Sequence, residues 1–150
     1  MQKITPCLWF DDRLEEAIEF YTSVFPDSRI VEMNRQGDQL FTAWFQLAGT
    51  EFMGLNGGPI FTFTEAISFF ITCDTQAEVD DYWQKLLAGG GTESQCGWLK
   101  DRYGLSWQVV PKRLGELLND PDVATADRVM LAMLKMVKID IAELERAAAA

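Results

Sequence analysis

Histidine is absent from the 150 residues. That gap removes a histidine general base, a Ser-His-Asp triad and any imidazole-ligated metal from consideration. Cysteine is scarce: Cys7, Cys73 and Cys96 are an odd number, and the first residues (Met-Gln-Lys-Ile-Thr-Pro) hold no apolar run of signal-peptide length. Such thiols are expected to be reduced, in a cytoplasmic protein. Basic residues are few, 13 Lys plus Arg against 23 Asp plus Glu for a formal charge of -10, and they form no stripe. Nucleic-acid affinity needs Lys and Arg to neutralise phosphates, so nucleic acid and anionic membrane are not expected partners. No stretch comes near the roughly 18 apolar residues of a membrane span.

What remains is ordinary globular material. With 48% hydrophobic residues a sizeable core is available, and the length suits one domain or two small fused repeats. The chain is organised around Glu51 to Phe69, where an apolar run (Phe52 to Leu55) breaks at Asn56-Gly57-Gly58-Pro59 and a second one (Ala66 to Cys73) follows. Two glycines free to take positive φ and a proline of fixed φ make a strong breaker.

On either side the same order of elements is predicted. Ile4 to Phe10 reads as a strand ending at Asp11-Asp12. Leu14, Ala17, Ile18, Tyr21 and Phe25 then form one apolar helical stripe, with Asp12 and Glu15 as its capping pair. Strands are expected over Arg29 to Asn34, over Phe41 to Leu47 with Phe41, Ala43, Phe45 and Leu47 on one face, and over Glu51 to Leu55. The second half repeats this: a strand from Ile67 to Cys73, a Thr75/Glu78 capping box, and a helix with Val79, Tyr82, Trp83, Leu86 and Leu87 on one side. Gly89-Gly90-Gly91 stops that helix, and short strands follow over Gln95 to Lys100 and Leu105 to Val110. After Pro111 the pattern turns helical. A short helix holds Leu114, Leu117 and Leu118, a run from Val123 to Val137 carries Val129, Met130, Met133, Leu134 and Val137 on one side, and a third helix covers Ile139 to Ala150. A methionine-rich stripe of this kind reads as core or subunit contact.

The duplicated β-α-β-β-β unit, the Asn-Gly-Gly-Pro link and Asp101-Arg-Tyr-Gly-Leu-Ser-Trp-Gln-Val109 resemble the vicinal oxygen chelate superfamily of glyoxalase, bleomycin-resistance and extradiol-dioxygenase proteins. Leu8-Trp-Phe-Asp11, Phe52 to Pro59, Gln95 to Asp101 and the Arg128 to Asp140 stretch look like its PhnB-like branch, often labelled 3-demethylubiquinone-9 3-methyltransferase. The resemblance implies an α+β fold, two βαβββ repeats forming a curved mixed sheet with a cleft, plus a helical C-terminal extension. It implies a glyoxalase-like domain over 1–111, with repeats at about 1–57 and 60–111, and the extension over 112–150, packed on the same domain or on a dimer partner. It also implies metal-ligand places near Pro6, near Met53, at Ser68 and at Gln108. Of these only Gln108 keeps an oxygen ligand of useful strength, and Ile60 stands where relatives often have histidine. No metal and no cofactor are therefore expected.

The expected site is a ligand-binding cleft centred on Gln108, with Ser106 on the same strand face and Ser68 across the cleft. Trp44, Met53, Phe70 and Trp98 are its expected apolar lining, together with Trp9 and Tyr103, although packing accounts for aromatics in a sheet equally well. Asn56 is expected at the cleft rim, where a turn requirement explains it too. Glu51 and Glu65 bracket the link and read as surface carboxylates, Lys100-Asp101-Arg102 as a solvated turn, and Cys7 and Cys96 as inert thiols. A methyltransferase chemistry finds no glycine-rich strand-turn-helix to hold its cofactor. The expectation is a metal-free, homodimeric small-molecule binder. The alternative is a metal-dependent lyase, isomerase or transferase of the superfamily.

Overall fold

The computed structural model describes residues 2–150. The chain forms two compact units, one ending at Phe63 and one beginning at Thr64. In the first, β1 (Cys7–Phe10) is followed by α1 (Leu14–Val24), β2 (Arg29–Gln36), β3 (Gln39–Leu47) and β4 (Thr50–Asn56). Its sheet has the order β1-β4-β3-β2, with β1 parallel to β4 and the other pairings antiparallel. The second unit opens with β5 (Ser68–Cys73), α2 (Gln76–Leu87), β6 (Thr92–Glu93), β7 (Trp98–Lys100) and β8 (Ser106–Pro111). Its sheet order, β5-β8-β7-β6, repeats the first, again with a parallel pair at the first strand. Three helices close the chain: α3 (Lys112–Leu118), α4 (Val123–Met133) and α5 (Ile141–Ala149). The fold is α+β, with the repeated order of elements that the sequence predicts.

Each sheet is covered on one face by its own helix. In the first unit Leu8, Phe10, Ala43, Phe45, Leu47 and Phe52 are buried with the α1 stripe of Leu14, Ala17, Ile18 and Tyr21. Register allows this, because Leu8 and Ala43 both pair with Gly54, and a Cβ at Gly54 would collide with the Leu14 side chain. Phe41 departs from the predicted face. Asn34 pairs with Thr42 and Arg35 with Leu40, so Phe41 is the extra residue of a bulge. The alternation flips there: Leu40 is buried and Phe41 is exposed.

The two helices start differently. Thr75 Oγ1 accepts the Glu78 N–H at 3.2 Å and Glu78 Oε1 accepts the Asp74 N–H at 3.3 Å, the expected local box. No side chain at the N-cap of α1 makes a capping bond, contrary to the predicted Asp12/Glu15 pair. Instead Asn56, on β4, accepts the Leu14 N–H at 3.0 Å and donates to Leu40 O at 2.9 Å. A strand side chain supplies what the local sequence does not.

The predicted strand from Gln95 is shorter, because Cys96 and Gly97 take φ of 57° and 87°. This turn aims their N–H groups at Met136 O and Val137 O, each at 2.8 Å. A Cβ at Gly97 would stand 3.0 Å from Ile139 Cγ1 and from Val109 O, so glycine is required for both conformation and space. The predicted Val123–Val137 helix stops at Met133. The chain then turns so that Met136 and Ile139, with Val129 of α4, enter a core formed with Val110, Leu114, Leu117 and Leu144. Met130, Leu131, Leu134 and Val137 are left exposed. Among the described residues no helix is long and apolar enough to cross a membrane.

Candidate functional site

The face of each sheet away from its helix carries most of the predicted site residues, and each unit has its own. In the first unit Trp44 pairs with Met53 across β3 and β4, and both are half-buried on the open face with Trp9 and Leu55. Asn56 is not with them. Strand alternation puts it on the α1 face, where both ends of its amide are engaged by backbone.

In the second unit two rows of side chains run across the open face. Ser68 on β5 pairs with Ser106 on β8, which pairs with Lys100 on β7 and through it with Thr92 on β6. The next row is Phe70, Gln108 and Trp98. A polar row thus lies beside an aromatic one. Gln108 Nε2 donates to Ser68 Oγ at 2.9 Å, so Ser68 is a neighbour on the adjacent strand and not a residue across a gap. Phe70 is 59% exposed.

Ser106 is the unusual member. It is 1% exposed and its hydroxyl has no hydrogen-bond partner among the described residues. Leaving a buried hydroxyl unpaired costs about 1–3 kcal/mol, a penalty that alanine would not incur. Ser106 also lines a pocket of about 310 Å³ together with Trp98, Lys100, Glu65, Thr92 and Glu93. Gln108, Ser68 and Phe70 flank this pocket in register and do not line it. Glu65, in the turn before β5, pairs with Lys100 at 2.8 Å. The hydrogen bond from Lys100 is the main cause that holds the Glu65 carboxyl below its ordinary range. Glu93 Oε2 accepts the Trp83 indole N–H at 2.8 Å.

Asp101 overturns its reading as part of a solvated turn. It is 3% exposed, its Oδ1 accepts the N–H groups of Tyr103 and Leu105 at 2.8 and 3.1 Å, and its Oδ2 accepts the Trp107 indole N–H at 2.9 Å. Three donors repay the burial of the carboxylate. The visible signal was Asp101 followed at i+6 by a strand tryptophan, whose indole N–H needs an acceptor once buried. By this means Asp101 fixes the turn between Lys100 and Ser106.

The places that the resemblance assigns to a metal offer poor donors. Met53 brings a thioether and donates its N–H to Pro6 O, while the second unit brings a neutral hydroxyl and an amide already bonded to each other. No group of three Cys, Asp or Glu side chains able to hold an ion exists among the described residues. Hard divalent cations take several oxygen ligands including carboxylates, so these donors do not fit one.

Comparison with known proteins follows the same line as the geometry. A family model described as 3-demethylubiquinone-9 3-methyltransferase matches residues 2–110. A solved structure titled as a putative 3-demethylubiquinone-9 3-methyltransferase, PhnB protein, from Bacillus cereus is 38% identical, with a TM-score of 0.68 over 73% of this chain and 99% of that one. A glyoxylase/bleomycin resistance protein/dioxygenase domain from Frankia (14% identity, TM-score 0.52, 74% and 92% covered) shares the fold. So does the fosfomycin resistance protein FosX from Listeria monocytogenes (15%, 0.52, 71% and 89%). A search of the curated proteins finds no match. The chain belongs to the 3-demethylubiquinone-9 3-methyltransferase family that includes the Bacillus cereus PhnB protein.

Proposed function

We propose that the chain binds a small organic molecule, without a metal ion, on the open face of the second unit's sheet around Ser68, Ser106 and Gln108. The observation that carries this reading is the unpartnered, buried Ser106 hydroxyl in the wall of a pocket of about 310 Å³. That volume is at the lower end of the range for small-molecule sites. A folded protein retains an unsatisfied polar atom at the expense of stability where a ligand uses it. Trp98 supplies apolar surface in the pocket wall. Beside the pocket Phe70 extends that surface, while Gln108 has a carbonyl oxygen with no bond among the described residues, within reach of a ligand that extends along the face. Trp44 and Met53 form an equivalent apolar row on the first unit's own open face.

The methyl transfer named in the family description is not carried over, because no turn here is built to hold a nucleotide-like methyl donor. The reading places the protein in the cytoplasm, in keeping with three free cysteines, and as a homodimer joined through the exposed Met130, Leu131 and Leu134.

The test pairs two measurements on Ser106→Ala. Ligand-free, the variant should be as stable as wild type or about 1 kcal/mol more stable in urea, because the orphaned hydroxyl is gone. In native mass spectrometry of gently purified protein, a small molecule retained by wild type should be lost from the variant. A variant that is destabilised by more than about 1 kcal/mol and retains the same molecule removes the reading, since the hydroxyl would then be structural.

A further inference from the structure

The wall of the second unit's pocket is balanced in charge where it faces the open side of the sheet. Lys100 Nζ lies 2.8 Å from Glu65 Oε1, so the cation in the wall and this carboxylate close on each other. Glu93 adds no charge to this side. Register sets it in the row of Leu99 and Trp107, which are buried on the helix side, and its Oε2 takes the indole N–H of Trp83 on α2. A ligand of either charge would meet no free counter-charge here and would shed its water without repayment.

Every other polar side chain in the wall, the Trp98 indole aside, is a hydroxyl: Thr92, Ser94 and Ser106. Thr92 and Ser106 flank Lys100 in one row across β6, β7 and β8. A hydroxyl both donates and accepts, so the group that suits it best is one that does the same, whichever way its proton turns. The Lys100–Glu65 pair has the same double character, with N–H donors beside carboxylate oxygens, and an exposed pair of this kind opens at little expense. Trp98, one row away, adds a flat apolar wall.

We propose that the ligand is a neutral ring polyol of monosaccharide size. Its hydroxyls exchange hydrogen bonds with Ser106, Thr92 and the Lys100–Glu65 pair, and its C–H face lies against Trp98. The pocket's volume of about 310 Å³ limits it to one small ring. This inference rests on the binding role given to the same face above, and it adds the ligand's charge and the kind of polar group it carries.

Five probes test it on the full chain by ligand-observed NMR: glucose, galactose, glucuronate, glucosamine and cyclohexanol. At least one of the two neutral sugars should bind, and more tightly than the three other probes. Ser106→Ala should weaken that sugar by about fivefold, the scale of one neutral hydrogen bond. Glu65→Ala and Lys100→Met should each weaken it by about twofold, whereas an anion would gain from the first change and a cation from the second. A preference for glucuronate or glucosamine overturns the proposal, as does a sugar affinity that rises in either charge variant. Cyclohexanol bound as tightly as the sugars, and weakened by Ser106→Ala, overturns the polyol and leaves the binding face standing. No binding of any probe at high millimolar concentration also overturns the polyol. The binding face then falls with it if native mass spectrometry finds no retained molecule.

Discussion

Replacing Asp101 by asparagine changes no shape and one charge, so it isolates what the buried carboxylate does. The best the amide can do is keep its oxygen on the Tyr103 and Leu105 N–H groups and turn its NH₂ towards the Trp107 indole N–H. Two donors then face each other in a place where Asp101 and Trp107 are each 3% exposed. The orphaned indole costs about 1–3 kcal/mol. Turning two charge-assisted bonds into neutral ones, each about half as strong, adds roughly 1 kcal/mol. The sum, about 2–4 kcal/mol, is a large part of the 5–15 kcal/mol that holds an ordinary domain together. With a urea slope of about 2 kcal/mol per molar, mid-range for a small protein, the midpoint should fall by about 1–2 M. Trp107→Phe removes the facing donor, so Asp101→Asn with Trp107→Phe should be less destabilising than the sum of the single changes, by about 1–2 kcal/mol. An Asp101→Asn loss under about 0.5 kcal/mol, or strict additivity of the pair, would refute the account of a carboxylate held by three donors.

The pH profile should be flat where most proteins titrate. With no histidine, no unperturbed side chain changes charge between about pH 6 and 8, so the urea midpoint should not move there. Below that range Glu15, bonded to Arg35, Glu65, bonded to Lys100, and Asp80, bonded to Lys138, all have pKa values lowered from 4.5, 4.5 and 3.8. A depressed carboxyl gives stability that is fully present above its unfolded value and lost as pH falls, so the midpoint should drop below about pH 4.5 and not above it. Cys73 is pushed up to about 12, chiefly by burial, so a thiol reagent at pH 8 should modify exposed Cys7 and leave Cys73 untouched until denaturant is added. Micromolar Mg²⁺, Mn²⁺ or Zn²⁺ should leave the melting temperature unchanged. An ion at a hundred times its dissociation constant would add about 2.7 kcal/mol, so an upward shift that Gln108→Ala abolishes would contradict the donor chemistry at Ser68 and Gln108.

Much of the architecture was legible because periodicity is local. The α1 and α2 stripes, the Thr75/Glu78 box and the recurrence of strand, helix and three strands each follow from residues a few positions apart. What escaped was whatever depended on pairing across strands. The bulge at Phe41 arises from the register between β2 and β3, and no property of Phe41 itself announces it. Its position in a breaker suggests a cleft rim for Asn56, yet its amide caps a helix that starts 42 residues earlier. The site was half legible. Ser106, Gln108 and Ser68 share a face by simple alternation, but Glu65 and Glu93 join the pocket wall only through a turn and a two-residue edge strand that carry no pattern.

Neighbouring residues on β8 give the sharpest distinction between polar groups that serve the fold and polar groups kept for another purpose. Trp107 points to the helix side and Ser106 to the open side, one residue apart on the same rigid strand. The indole N–H of Trp107 is buried and met by Asp101, which reaches it from the preceding turn. The Ser106 hydroxyl is at least as buried and has no hydrogen-bond partner among the described residues, although Gln108 on the same strand is bonded to Ser68 on β5. Poor packing would leave both atoms unsatisfied, and a purely structural role would leave neither. The ligand-binding proposal gives this contrast a reason: the helix side of the strand is closed by the chain's own acceptor, and the open side keeps a hydroxyl that a ligand would meet.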